Sequence, residues 1–202
     1  MTSPTQTLPE GYKLKHEINL AKNKSLGILL NIVAFILFFI TFVLLVLFAL
    51  WIRPGFSSGV ISNLGVLSSV WLLLGLIGLV VFNLVLHELI HGFFFWVFTG
   101  SKPVYALHLA YAYAAAPDWF IPVGQYWIIG LAPLVVIDAA GLALMFVVPL
   151  NLLLSIIFLV TLNTGGAVGD LLITSNLLGA SPACLVNDIG DGVSFFEPVP
   201  PS

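Results

Sequence analysis

Residues 83–99 read NLVLHELIHGFFFWVFT, and this stretch decides the fold class. Three ionisable side chains, His87, Glu88 and His91, lie inside a run that is otherwise almost wholly apolar. That run begins near Ser69 and continues to Thr99. A helix that crosses a membrane needs roughly 20 mostly apolar residues. The stretch therefore predicts a transmembrane helix that carries ionisable groups.

The composition of the whole chain agrees with a membrane protein. Hydrophobic residues make up 60% of the 202 residues and charged residues only 7%, whereas a typical soluble domain has about 25% charged residues. A soluble globular enzyme and a disordered chain are excluded. A nucleic-acid-binding protein is excluded too, since it would need clustered basic residues. Because Cys184 is the one cysteine, no disulfide can form within the chain.

Four apolar runs predict four transmembrane helices, over about residues 26–52, 69–99, 126–149 and 150–180. The predicted fold is an all-α polytopic membrane protein with a short strand or hairpin element after the second helix. We expect three parts: an N-terminal segment at residues 1–25, a transmembrane domain at 26–180, and a loosely attached polar tail at 181–202.

Lysine and arginine predict the orientation of these helices, because positive charges concentrate on the cytosolic side of a membrane. Four lysines precede the first helix: Lys13, Lys15, Lys22 and Lys24. The next two loops hold one basic residue each. The N-terminus is therefore predicted to be cytosolic, and four crossings return the C-terminus to the cytosol. We expect an integral protein of the plasma membrane.

The segment from Val104 to Ala114 has a different period. Large side chains, among them Tyr105 and Leu107, occupy odd positions, and alanines fill most even positions. A period of two residues predicts a β-strand or hairpin. The alternative is an irregular loop whose tyrosines lie at the membrane interface.

The pattern His87-Glu88-Leu89-Ile90-His91 predicts a metal site. Histidines four residues apart share one face of a helix and can bind a single zinc ion, while Glu88 can take a proton from zinc-activated water. An ionisable side chain in the middle of a membrane costs about 2.5–3.5 kcal/mol, and a divalent cation would offset that cost. The alternatives are a polar patch lining a pore and a proton relay.

Zinc hydrolases usually take a third protein ligand and leave a fourth position for water. The candidates are His16, His108, Asp138 and Asp170. At 1.5 Å per residue, Asp170 lies about 28 Å and His87 about 26 Å from the extracytosolic face, but Asp138 only about 17 Å. We therefore predict Asp170 as the ligand. Asp138 is expected to be a hydrogen-bonded acid or part of an access path.

Small residues surround Asp170. Gly165 and Gly169 are four residues apart and predict a flat strip where another helix can approach closely, so that a short aspartate side chain can reach the metal. Asn163 lies two turns before Asp170 on the same face. It is a candidate to bind substrate through the carbonyl oxygen or the developing oxyanion. The alternative is a hydrogen bond between helices.

These residues resemble a known group of enzymes. The motif H-E-x-x-H on a transmembrane helix, with an aspartate on a later one, is similar to the site-2 protease group of intramembrane metalloproteases. A small bacterial and archaeal membrane family of zincin peptidases is more similar still. It has H-E-x-x-H-G, then a Pro-containing stretch, then Asn…Gly…Gly-Asp on the last span. Here these are His87–Gly92, then Ala116-Pro117 and Ala132-Pro133, then Asn163–Asp170.

The resemblance implies zinc bound by His87, His91 and Asp170, with Glu88 as the catalytic base. It makes the domain at 26–180 metalloprotease-like. The chain departs from the site-2 pattern at Leu171, because glycine usually follows the aspartate in that group.

The functional prediction is a membrane-embedded zinc-dependent peptidase that hydrolyses a peptide bond within or near the bilayer. Its expected partners are membrane lipid and a membrane-protein or peptide substrate, and no nucleic acid. The oligomeric state is left open. The alternative is a non-hydrolytic metal-binding or transport membrane protein. Glu88 favours the enzyme, because a pure binding site has no need for it beside the first histidine.

Overall fold

A computed structural model of the protein describes residues 3–19, 22–57, 70–107 and 112–199. Within these ranges the chain forms five helices and six strands. In chain order they are β1 (Tyr12–Asn19), α1 (Lys24–Ile52), α2 (Val70–Thr99), β2 (Val104–Leu107), β3 (Ala112–Ala115), β4 (Phe120–Pro122), α3 (Val123–Leu144), α4 (Leu150–Gly166), α5 (Val168–Ser175), β5 (Leu185–Asp188) and β6 (Gly192–Pro198).

Four helical segments are long and apolar enough to cross a membrane: Lys24–Ile52, Leu73–Thr99, Val123–Leu144 and Leu150–Ser175. The shortest has 22 residues and extends about 33 Å at 1.5 Å per residue, which matches the apolar thickness of a bilayer of about 30 Å. Four long apolar helices are thus present where the sequence predicts four. The last one is broken at Ala167, where α4 ends and α5 begins, and it stops at Ser175 rather than near residue 180.

The prediction of an all-α fold is wrong, because the chain also contains a four-stranded sheet. The strand order is β1-β6-β5-β4, and every neighbouring pair is antiparallel. Strand β1 precedes the first helix, β4 lies between α2 and α3, and the last two strands follow α5. The described part of the predicted tail is therefore not loosely attached, since β5 and β6 belong to this sheet.

Alternating burial explains why the last segment forms a strand. In β6, Val193 and Phe195 are buried, whereas Ser194 and Phe196 are partly exposed. A strand that is buried on one face shows this period of two. The pairing partner of β6 is β1, from the other end of the chain. Composition alone could not reveal that pairing, because it depends on residues far apart in sequence.

The segment after α2 is a hairpin, as the alternation of large and small residues predicts. Strands β2 and β3 pair antiparallel, with Tyr105 opposite Ala114 and Leu107 opposite Ala112. The residues between the two strands, 108–111, lie outside the described part of the chain. In this two-stranded sheet, Val104, Tyr105 and Leu107 of β2 are exposed.

The chain divides into two compact units. The first comprises residues 1–30, 88–133 and 169–202 and holds all six strands. Its core includes Ile121, Val186 and Phe195. The second comprises residues 31–87 and 134–168. Its core lies between α1 and the helices that follow, around the fully buried Leu153 and Ile157.

Close helix packing in the second unit depends on a glycine. A side chain at Gly165 would lie 3.2 Å from the carbonyl oxygen of Ala34 and 3.5 Å from Phe38, both in α1. The predicted glycine strip is therefore only half right. Gly165 does allow a close approach, but to α1, and nothing lies within 4 Å of a side chain built at Gly169.

Candidate metal centre

Helix α2 carries the histidine motif. His87 and His91 are both buried, although each is a polar residue in an apolar helix. The helix is regular from Val70 to Thr99, so the two imidazoles lie one turn apart on one face. Glu88 stands beside His87 on the same turn.

The third residue of the group comes from α5. The Nε2 atom of His91 lies 3.3 Å from the Oδ1 atom of Asp170. Asp170 occupies the first turn of α5, where the positive end of the helix dipole favours a carboxylate. The helix is interrupted at Ala167, and Asp170 therefore lies near the start of a new helix.

Three of the described residues form a group that could hold a metal ion: His87, His91 and Asp170. One ligand atom of each lies within 4.8 Å of the others. This is the set predicted from the sequence. Tetrahedral zinc with bonds of about 2.0–2.1 Å places two ligand atoms about 3.3–3.4 Å apart, and the distance between His91 and Asp170 agrees. The donor set therefore fits zinc, with a fourth position left for water or substrate.

Each histidine also has an acceptor at its second ring nitrogen. The Nδ1 atom of His87 lies 2.9 Å from Oδ1 of Asn163, and that of His91 lies 2.9 Å from the carbonyl oxygen of Ile129. When Nδ1–H donates these hydrogen bonds, the Nε2 lone pair of each ring is left for a metal.

Asp138 does not belong to the metal group and is a hydrogen-bonded acid, one of the two roles expected from the sequence. Its Oδ1 accepts from Nδ2 of Asn163 and its Oδ2 accepts from the hydroxyl of Thr164, both at 2.8 Å. Asn163 is fully buried and connects His87 to Asp138. Asn163 therefore makes hydrogen bonds between helices, which was the alternative role. Direct contact between Asn163 and substrate stays a prediction.

Of the two remaining candidates for the third ligand, His16 lies elsewhere. It is in β1, where its ring stacks on Phe195 with centroids 6.0 Å apart, and it does not belong to the group around His91. His108 falls outside the described residues.

Sequence reasoning missed a buried pair near the metal group. Tyr126 and Asp188 are both buried, and the Tyr126 hydroxyl donates to Oδ2 of Asp188 at 2.5 Å. The backbone N–H of Gly190 donates to Oδ1 at 2.8 Å. Burial raises the pKa of Asp188, although the two hydrogen bonds act in the opposite direction. Asp188 was assigned to a polar tail, and no local signal marked it as buried.

A second missed contact joins the hairpin to α2. A side chain at Gly92 would collide with the ring and hydroxyl of Tyr105. Gly92 follows His91 and lies one turn after Glu88 on the same helix face. Burial, and the nearby charge of Glu88, raise the pKa of Tyr105, so its hydroxyl remains protonated and can donate a hydrogen bond. The glycine of H-E-x-x-H-G was the available signal.

Comparison with known families supports the metal centre. A family model described as "Putative zincin peptidase" matches residues 80–185, just over half of the chain. The chain belongs to this family. The match includes the whole histidine motif, the hairpin, Asn163 and Asp170, and a zincin family implies zinc and a metallopeptidase. No curated protein and no solved structure matches the chain.

Proposed function

We propose that this member of the zincin family is a membrane-embedded, zinc-dependent peptidase that hydrolyses a peptide bond within or near the bilayer. The observation that carries the proposal is the distance of 3.3 Å between Asp170 and His91. The helix that bears His91 also bears His87 and Glu88. Two imidazoles and one carboxylate are the ligands of many catalytic zinc sites.

Glu88 is the proposed general base. A zinc ion held by the three ligands would polarise the substrate carbonyl and the attacking water. Glu88 takes the proton from that water and passes it to the leaving amine.

The proposed location in the membrane rests on the four apolar helices and on the strand pairing. Four crossings place the segments before α1, between α2 and α3, and after α5 on the same side of a membrane. These are the segments that supply β1, β4, β5 and β6 to one sheet. The four lysines before α1 favour the cytosol for that side, and we propose the plasma membrane as the location.

The proposed substrate is a membrane protein or a membrane-associated peptide in extended form. The carbonyls of a transmembrane helix are protected by hydrogen bonds, so a substrate helix must unwind before cleavage. Strand β2 is exposed and contacts α2 through Tyr105 and Gly92. An unwound segment could add to this hairpin as a further strand, close to the histidine motif.

The test compares cells that produce the wild type with cells that produce Glu88→Gln. Mass spectrometry of new protein N-termini in the membrane fraction should find cleavage products in the wild type that are absent in the variant. The metal content of both purified proteins should be equal. If no product depends on Glu88, the peptidase proposal fails. Zinc flux into vesicles that contain the Glu88→Gln variant would then support the transport alternative.

A further inference from the structure

Pro133 lies inside α3 and is fully buried. In an α-helix the N–H of each residue donates to the carbonyl four residues earlier. Proline has no N–H, so the carbonyl of Ile129 has no donor at position 133. An interior proline normally weakens a helix, and its presence at a fully buried position requires a compensating contact.

That contact is made by His91. Its Nδ1 atom lies 2.9 Å from the Ile129 carbonyl oxygen, the acceptor that has no helical donor at position 133. His91 and Ile129 are both buried. A buried carbonyl and a buried ring N–H each incur a free-energy penalty when they lack a partner, so the two groups satisfy each other.

The hydrogen bond determines which nitrogen of His91 can bind a metal. With the proton on Nδ1, the lone pair is on Nε2, the atom that faces Asp170 at 3.3 Å. A backbone carbonyl inside a helix cannot rotate as a side chain can, so the ring is held in one orientation. Partners of this kind orient metal ligands and tune the affinity for the ion.

The same part of α3 also packs against the helix that carries Asp170. A side chain at Gly130 would collide with the methyl group of Thr174 in α5, and the Thr174 hydroxyl donates to the Asp170 carbonyl oxygen at 2.7 Å. Residues 129–133 therefore contact the surroundings of both His91 and Asp170.

We propose that Pro133 is a positioning residue of the metal centre, which frees the Ile129 carbonyl to orient His91. The inference rests on the zinc site of the proposed function and does not depend on what substrate is cleaved. It gives a chemical reason for a proline at this position in a membrane helix.

The test is Pro133→Ala, which restores an N–H that can donate to the Ile129 carbonyl and so compete with His91. We expect the dissociation constant for zinc, measured by chelator competition, to rise about 10–100-fold. We also expect the melting temperature of the metal-free variant to stay equal or increase. A merely structural role of Pro133 would instead lower the melting temperature. Zinc binding as tight as in the wild type would overturn the proposal.

Gly124→Ala is the matched control, because it changes the same helix at a position where nothing lies within 4 Å of the added side chain. Its zinc affinity should equal that of the wild type. A second measurement, on the wild type, keeps the proposal testable if Pro133→Ala fails to fold. It is nitrogen NMR of the ¹⁵N-histidine-labelled, zinc-loaded wild type, with His91 assigned by comparison with His91→Ala. Nδ1 of His91 should carry a proton and Nε2 should bind zinc. Zinc on Nδ1 of His91 would overturn the role of Pro133, whereas a wild type that binds no zinc would overturn the proposed function.

Discussion

The Nδ1 atom of His87 lies 2.9 Å from the Oδ1 atom of Asn163, and the amide nitrogen of Asn163 donates to Asp138 at 2.8 Å. Asp138 thereby fixes which end of the Asn163 amide faces the histidine. Asp138 does not belong to the group of possible metal ligands, but Asn163 connects it to one of them.

The first prediction concerns Asn163. Asn163→Ala should raise the zinc dissociation constant about 10–100-fold, because His87 loses the acceptor that orients its ring. The control Thr164→Val removes the other hydrogen bond to Asp138 and leaves Asn163 in place, so its effect should be smaller. Unchanged zinc affinity together with reduced turnover would instead favour contact between Asn163 and the substrate.

The second prediction concerns Glu88. Glu88→Gln should keep zinc and lose turnover by about 10²–10⁴-fold, the usual contribution of a general base. The measurement is the rate at which purified enzyme in vesicles cleaves a substrate identified from the comparison of N-termini. A variant with full activity would remove Glu88 from the mechanism.

The third prediction concerns the contact between Gly92 and Tyr105. Gly92→Ala should displace the half-exposed Tyr105 ring from the face of α2, and Tyr105→Phe should remove its hydroxyl. If that hydroxyl donates to a charged group in the transition state, each change costs about 1.5–3 kcal/mol, or about 10–100-fold in turnover, with zinc retained.

Gly78→Ala is the control for Gly92→Ala, since it lies on the same helix with nothing within 4 Å. Its turnover should equal that of the wild type. Full activity of Tyr105→Phe would limit Tyr105 to packing against the helix.

The fourth prediction concerns Tyr126 and Asp188. Because burial holds the pKa of Asp188 above its ordinary value, the stability contributed by its carboxyl is complete at low pH and is lost as pH rises through the raised pKa. Tyr126→Phe removes a donor to the ionised form. It should therefore lower the free energy of unfolding by about 1–3 kcal/mol at neutral pH and by less in mild acid.

Tyr12→Phe is the control for that comparison. The Tyr12 hydroxyl donates to the carbonyl oxygen of Ala183 at 2.9 Å, and this acceptor does not titrate. Tyr12→Phe should lower the free energy of unfolding by about 0.5–1.5 kcal/mol at both pH values. The measurement is denaturant unfolding in detergent. Equal losses in Tyr126→Phe at neutral and acidic pH would contradict the role given to Asp188.

The parts of the molecule that were predictable are those with a local signal. Apolar runs predicted the four long helices, and a period of two predicted the β2–β3 hairpin. The spacing of His87 and His91, and the depth of Asp170 that follows from the fixed rise of a helix, indicated three candidate ligands. The structure brings one ligand atom of each within 4.8 Å of the others.

The parts that were not predictable depend on residues far apart in the chain. The sheet joins β1 to β6, so neither end of the chain shows a strand signal that can be interpreted alone. Asp188 of β5 is buried beside Tyr126, which lies in α3, far away in the sequence. The role of Gly165 was misjudged because a glycine shows where a close approach is possible but not which helix makes it.

Zinc content tests the account most directly. The protein would be purified in detergent as wild type, His91→Ala and Asp170→Ala, with the exposed Asp118→Asn as a matched acidic control, and zinc would be measured by mass spectrometry. We predict about one zinc per chain in the wild type and in Asp118→Asn, and none in the other two. Zinc retained in Asp170→Ala, or absent from a folded wild type, would contradict the three-ligand site.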